Sequence, residues 1–105
     1  MTYSILVHKR VLEIAQRQGI KPSELQLALN VLDDIAEQQF PRADWRVAPI
    51  RCTDMKLSRV KVEHETWRAI IKIDDGNQRI VLEMVLRRNE NTYAIVEAFW
   101  LREAA

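Results

Sequence analysis

Five cations stand out by their spacing: Arg59 and Lys61 two residues apart, Arg68 and Lys72 four apart, and Arg87 closing the run RIVLEMVLR. Along an extended chain, side chains an even number apart leave the same face of a strand. Cations collected on one face raise a local positive potential and favour anionic partners, nucleic acid among them. His64, in the same region, is a candidate general base, since the imidazole side chain ordinarily titrates near neutral pH. It falls in a strand turn, where a lone histidine is usually just solvated. Cys52 is the sole cysteine and has no CxxC or His-rich neighbourhood, so neither a disulfide nor a redox motif nor a zinc site is supported.

These residues need a frame, and composition bounds it. The 105 residues are 48% hydrophobic and 30% charged with two Gly and three Pro, a globular balance. That length suits one domain, residues 1–105, with a modest core. Sixteen Lys and Arg against fifteen Asp and Glu leave a net charge of +1. Bulk charge therefore does not announce nucleic-acid binding, and the case must rest on where the charges sit. The apolar run before His8 is too short for a signal peptide or a membrane span, so a cytoplasmic location is the default expectation.

Period decides the elements. Tyr3, Ile5 and Val7 alternate with Ser4 and Leu6 in a short β-prone stretch that predicts a first strand. From Lys9 to Gln18, Val11, Leu12, Ile14 and Ala15 fall at helical spacing, with Gly19 placed to end the helix at positive φ. Pro22 opens a second helix, where Ser23 and Gln26 form a capping-box pattern. Leu25, Ala28, Leu29, Leu32, Ile35 and Ala36 form its apolar stripe, and it should stop near Phe40-Pro41. Residues 41–56 read as a loop with a short extended piece around Val47.

From Leu57 the period becomes two. Val60 and Val62 alternate with Arg59 and Lys61; after a turn at His64–Glu65, Trp67, Ala69, Ile71 and Ile73 alternate with Arg68, Ile70 and Lys72. Asp74-Asp75-Gly76-Asn77 is hairpin-turn chemistry. A longer strand runs from Arg79 to Arg88, with Ile80, Leu82, Met84 and Leu86 on one face and Val81, Glu83, Val85 and Arg87 on the other. Asn89-Glu90-Asn91 breaks it. Thr92–Leu101 fits a strand or a helix, and a short C-terminal helix is the expectation. The fold class is α+β: an N-terminal strand and an α-hairpin packed on an antiparallel β-meander.

The apolar series must meet the helices, which leaves Arg59, Lys61, Arg68, Lys72 and Arg87 together on the far face with Glu63 and Glu83 among them. A solvated polar face is the bland account of such a pattern. Trp45, Trp67 and Trp100 are expected as core or partner anchors rather than chemistry.

Residues 56–93, KLSRVKVEHETWRAIIKIDDGNQRIVLEMVLRRNENTY, resemble the second half of the RelE/ParE superfamily of toxin–antitoxin toxins, and of its RelE branch in particular. Arg59 and Lys61 match the two basic residues of the first meander strand, and Trp67-Arg68 the aromatic–Arg pair. Arg87 matches the basic strand end, and Tyr93 the Tyr six positions beyond. The resemblance implies the toxin of a type II system: a ribosome-dependent endoribonuclease that cuts mRNA, inhibits translation and is silenced by a cognate antitoxin.

That chemistry is attack by a ribose 2′-OH on the neighbouring phosphate, which needs a proton acceptor, positive charge at the phosphorane and help for the leaving oxygen. No metal or other cofactor is called for. The resemblance carries the catalytic roles to Arg59, Lys61, Arg68, Arg87 and Tyr93, with Lys72, Arg88 and His64 as RNA-binding neighbours. Lys61 would act as base if the surrounding guanidinium groups depress its pKa, since like charges disfavour the protonated form. Arg68 and Arg87 suit phosphate clamping, and Tyr93 suits stacking on a base. Two features point the other way, the near-neutral charge and the acidic Glu63 and Glu83 on the same face. They leave open a ParE-like inhibitor of DNA gyrase, or a catalytically inactive binding module on the same fold.

Overall fold

The computed structural model describes residues 2–50, 57–62 and 67–87. Its elements are β1 (Ser4–Val7), α1 (Arg10–Arg17), α2 (Pro22–Ala36), a 3-10 turn (Pro41–Ala43), β2 (Val47–Pro49), β3 (Leu57–Val62), β4 (Trp67–Asp74) and β5 (Arg79–Arg87). They form one five-stranded sheet in the order β1-β5-β4-β3-β2. β2 to β5 are antiparallel neighbours, whereas β1 pairs parallel with β5, Ile5 opposite Ile80 and Val7 opposite Leu82. The α+β class, the N-terminal strand and the meander are as the sequence predicts. The extended piece around Val47 is β2.

Local chemistry explains the element ends. Gly19 takes φ 71° after α1, the left-handed conformation that favours glycine. α2 opens with Pro22 in its first turn, but the cap is not the Ser23/Gln26 box: the Glu24 carboxylate accepts from the Lys21 backbone N–H at 3.1 Å. It ends at Ala36 rather than near Phe40, because the stripe runs out. The next apolar side chain, Phe40, is 67% exposed, so further helix would bury nothing. In the β4–β5 turn the Asp74 carboxylate accepts from Asn77 N and Nδ2, and the positive φ belongs to Gln78 rather than to Gly76.

The main core lies between the sheet and the helices. Ala28, Leu32, Ile35 and Ala36 of α2 and Val11 and Ala15 of α1 pack on Val60, Val62, Trp67, Ala69, Ile71, Ile73, Ile80 and Leu82. One departure from strict alternation changes the rest. Ile70 pairs with Met84 but Ile71 with Leu82, so Glu83 is an extra residue, a β-bulge in β5. Beyond it every side chain changes face. Val85 joins the main core, while Met84 and Leu86, predicted on the helix side, pack with Ile14, Ile50, Leu57 and Ile70 in a second buried cluster.

Helix α1 runs beside the bulged half of β5. Its start is tied there by Arg10 Nη2 to Glu83 Oε2 at 3.0 Å, and its end by Arg87 Nε to the Gln18 carbonyl at 3.1 Å. It therefore faces both layers, Val11 and Ala15 in one and Ile14 in the other. Among the described residues no helix is long and apolar enough to cross a membrane. The predicted turn at His64–Glu65, the break at Asn89–Asn91 and the tail Thr92–Leu101 lie outside the described residues.

Candidate nucleic-acid interface

The face of β3 and β4 turned away from α2 carries Arg59, Lys61, Arg68 and Lys72. Register sets their order: Leu57 opposite Lys72, Arg59 opposite Ile70, and Lys61 opposite Arg68. Lys61 and Arg68 stand directly across the antiparallel pair, which concentrates positive charge at this rung. The four cations border the buried apolar cluster of Leu57, Ile70, Met84 and Leu86 rather than forming a uniformly wet surface.

Their environments differ. Lys72 is exposed, and Arg59 and Lys61 are half-buried. Arg68 is buried at 3% exposure, and its Nη1 donates to the Trp67 carbonyl at 3.1 Å. This corrects the expectation of a solvent-facing Arg68. Arg59 Nη1 is buried without a hydrogen-bond partner among the described residues. A buried guanidinium donor left in that state favours an incoming anionic oxygen.

Arg87 does not share this face. The bulge turns it to the helix side, where it lies opposite Trp67 with its guanidinium 4.5 Å from the Trp67 ring centroid. It stands one rung of the ladder beyond Lys61 and Arg68, so the cations meet at one end of the sheet from opposite faces. Tyr93, Arg88 and His64 lie outside the described residues.

Glu83 also leaves the place expected for it. It sits in the bulge, 7% exposed, with its carboxylate on Arg10, and so does not offset the basic row. The one other carboxylate on the described part of this face is Asp74 at the hairpin end. Asn77 bonds and nearby Arg79 hold its pKa below the usual range. Glu63 is outside the described residues. No three His, Cys, Asp or Glu side chains gather as a metal site among the described residues.

Alternation missed the second apolar cluster and the exchange of faces at Glu83. It also missed a buried ion pair at the β2 end. Asp44, with its side chain 5% exposed, bonds Arg46, which holds the carboxyl well below the usual carboxylate range. The pair adjoins the row, because Lys61 N donates to the Arg46 carbonyl at 3.1 Å.

Two helices on a mixed sheet whose first strand runs parallel to its last described strand, beside an antiparallel meander with a basic face, make the fold of the RelE toxins. The mutant Escherichia coli toxin RelE in its free state superposes with a TM-score of 0.67 at 16% identity, covering 94% of this chain and 96% of that one. RelE of the archaeal RelE–RelB complex from Pyrococcus horikoshii OT3 gives 0.62 at 21% identity, over 86% and 99%. A chain of the E. coli DinJ–YafQ toxin–antitoxin complex gives 0.54 at 16% identity, over 83% and 93%. No family model matches the sequence, and no curated protein matches it either.

Proposed function

We propose that this protein is the toxin of a type II toxin–antitoxin pair and acts as a metal-independent, ribosome-dependent mRNA endonuclease in the cytoplasm, held in check by a cognate antitoxin. The observation that carries the reading is the basic row: Lys61 directly across from Arg68, and Arg59 next along β3 with a buried nitrogen that has no hydrogen-bond partner among the described residues. Cations gathered along one strand pair raise a local positive potential that favours an anionic partner.

In the mechanism that follows, the half-buried Arg59 holds the phosphate, the buried Arg68 adds positive potential behind it that stabilises charge on the phosphorane, and Lys61 manages the 2′-OH proton. Lys72 extends the row along the RNA backbone. Tyr93, Arg88 and His64 keep the roles given by the family resemblance. Arg87 approaches the same sheet end from the other face.

Expression in a bacterial host should arrest growth and leave cleaved transcripts among ribosome-bound messages. Full arrest with intact transcripts would refute it. Arg87 on the helix side favours a second reading, a toxin of this fold that inhibits DNA gyrase without cutting RNA, since the full clamp is not assembled on one face. Inhibition in a supercoiling assay, with no RNA cleavage, would select it.

A further inference from the structure

We propose that the outer edge of β1 joins the same edge of a second copy of this chain, the two strands pairing antiparallel about a two-fold axis at Leu6; this goes beyond the reading above and does not depend on it. β1 and β2 are the two outer strands of the sheet. β2 is blunted against further strands: Ile50 N–H donates inward to the Leu57 carbonyl, so Pro49 before it turns outward a nitrogen that carries no hydrogen. Ser4–Val7 has no Pro and no charge, and Leu6 and Val7 are 44% and 48% exposed on it.

The bonds of β1 fix which backbone groups stand open. Ser4 N–H donates to the Gln78 carbonyl at 2.8 Å and His8 N–H to the Leu82 carbonyl at 2.9 Å, so alternate residues turn inward to β5, and Ile5 and Val7 turn their N–H and C=O outward. Tyr3 N–H, on the same outer side, donates to the Ala36 carbonyl of α2 at 2.7 Å, which closes the edge at that end. Ile5 and Val7 are two apart, the spacing that lets the strand pair with itself. Ile5 of each copy meets Val7 of the other and exchanges both bonds, and Leu6 faces Leu6 as the non-bonded pair between them. Ile5 packs toward the main core, so Leu6 leaves from the other face, where directly opposed side chains approach to about 4.5–5.5 Å. Each exposed apolar residue of the edge is then covered by an apolar one.

Charge selects a second copy over another strand. Antiparallel pairing brings the Val7 end of one copy to the Tyr3 end of the other. Lys9, exposed just past Val7, then comes to the hollow where Asp33, Ala36 and Glu37 flank Tyr3. α2 has no basic residue in its last turn, where the helix carbonyls leave a partial negative charge. Lys9, Asp33 and Glu37 form no salt bridge among the described residues. The helix end that lacks a cation in each copy thus receives one from the other, and the two-fold axis repeats the contact. The product is one continuous sheet with both basic rows on the same side.

The test is sedimentation velocity on the purified full chain over a range of concentrations, where a concentration-dependent dimer is expected. Leu6→Lys, a charge at the centre of the pairing, should leave a monomer with the parent's far-ultraviolet circular dichroism spectrum. Lys9→Glu should weaken the dimer by up to about fivefold, and Glu37→Lys added to it should restore it. Cross-linking reads the register. In a Cys52→Ser background, Leu6→Cys should form a disulfide-linked dimer under mild oxidation, because residue 6 of each copy lies within disulfide reach of its counterpart; Ser4→Cys, which faces His8, should not. A monomer at every concentration, a dimer that survives Leu6→Lys, or linking through position 4 as readily as through position 6 overturns the assignment. A strand of some other protein as the sole occupant would give the first of these results. Growth arrest and transcript mapping report on the toxin reading separately.

Discussion

At 3% exposure, with Nη1 on the Trp67 carbonyl, Arg68 is a packing residue as well as a charge. Arg68→Ala should therefore cost about 1–3 kcal/mol in thermal melting, as loss of a buried, hydrogen-bonded polar group does. The half-buried Lys61 differs: Lys61→Ala should shift stability by only about 0.5 kcal/mol and lower cleavage on the order of a hundredfold or more. Full cleavage by Lys61→Ala would remove it from the proposed site. Asp44 sets a second contrast, in pH. Its folded pKa is depressed, chiefly by the Arg46 hydrogen bonds, so its stabilisation is fully present above the unfolded value near about 4 and is lost as pH falls below it. Melting of the parent and of Asp44→Asn should differ most at neutral pH and converge in acid; a gap constant with pH would contradict this. The identity of the basic residues was legible in their spacing. The burial of Arg68 was not, because alternation gives the face but not what lies over it.

In β5 the bulge at Glu83 decides which residues meet. Nothing in RIVLEMVLR announces it: there is no Gly or Pro, and the alternation reads through without a break. Its cause is tertiary, since Arg10 at the start of α1 takes the Glu83 carboxylate and α1 lies beside the strand beyond. Deleting Glu83 makes Leu82 and Met84 consecutive, so strict alternation then keeps Val85 in the helix layer and Met84 and Leu86 in the second cluster. The shortened strand should keep a cooperative melt, lowered by about 1–3 kcal/mol for the lost Arg10–Glu83 pair. Loss of cooperative melting would show that the bulge itself is needed to hold the register. Helix existence and the meander were legible from period alone. The end of α2 was not, because it depends on Phe40 finding nothing to pack against.

Across the molecule, the parallel pairing of β1 with β5 joins the first strand to the last one described. Strand order was legible locally, but that partnership was not, since period carries no information about which strand a distant one will join. Removing the chain up to Val7 should uncover Ile80 and Leu82 along one edge of β5 and abolish cooperative unfolding by circular dichroism; a cooperative melt would show that β1 is dispensable. The same pairing bears on synthesis. A ribosome emits β1 long before Arg79–Arg87, and a sheet cannot close on a strand that is still inside the machine. If the toxin reading holds, β5 must leave the ribosome before the basic face of β3 and β4 is backed by a closed sheet.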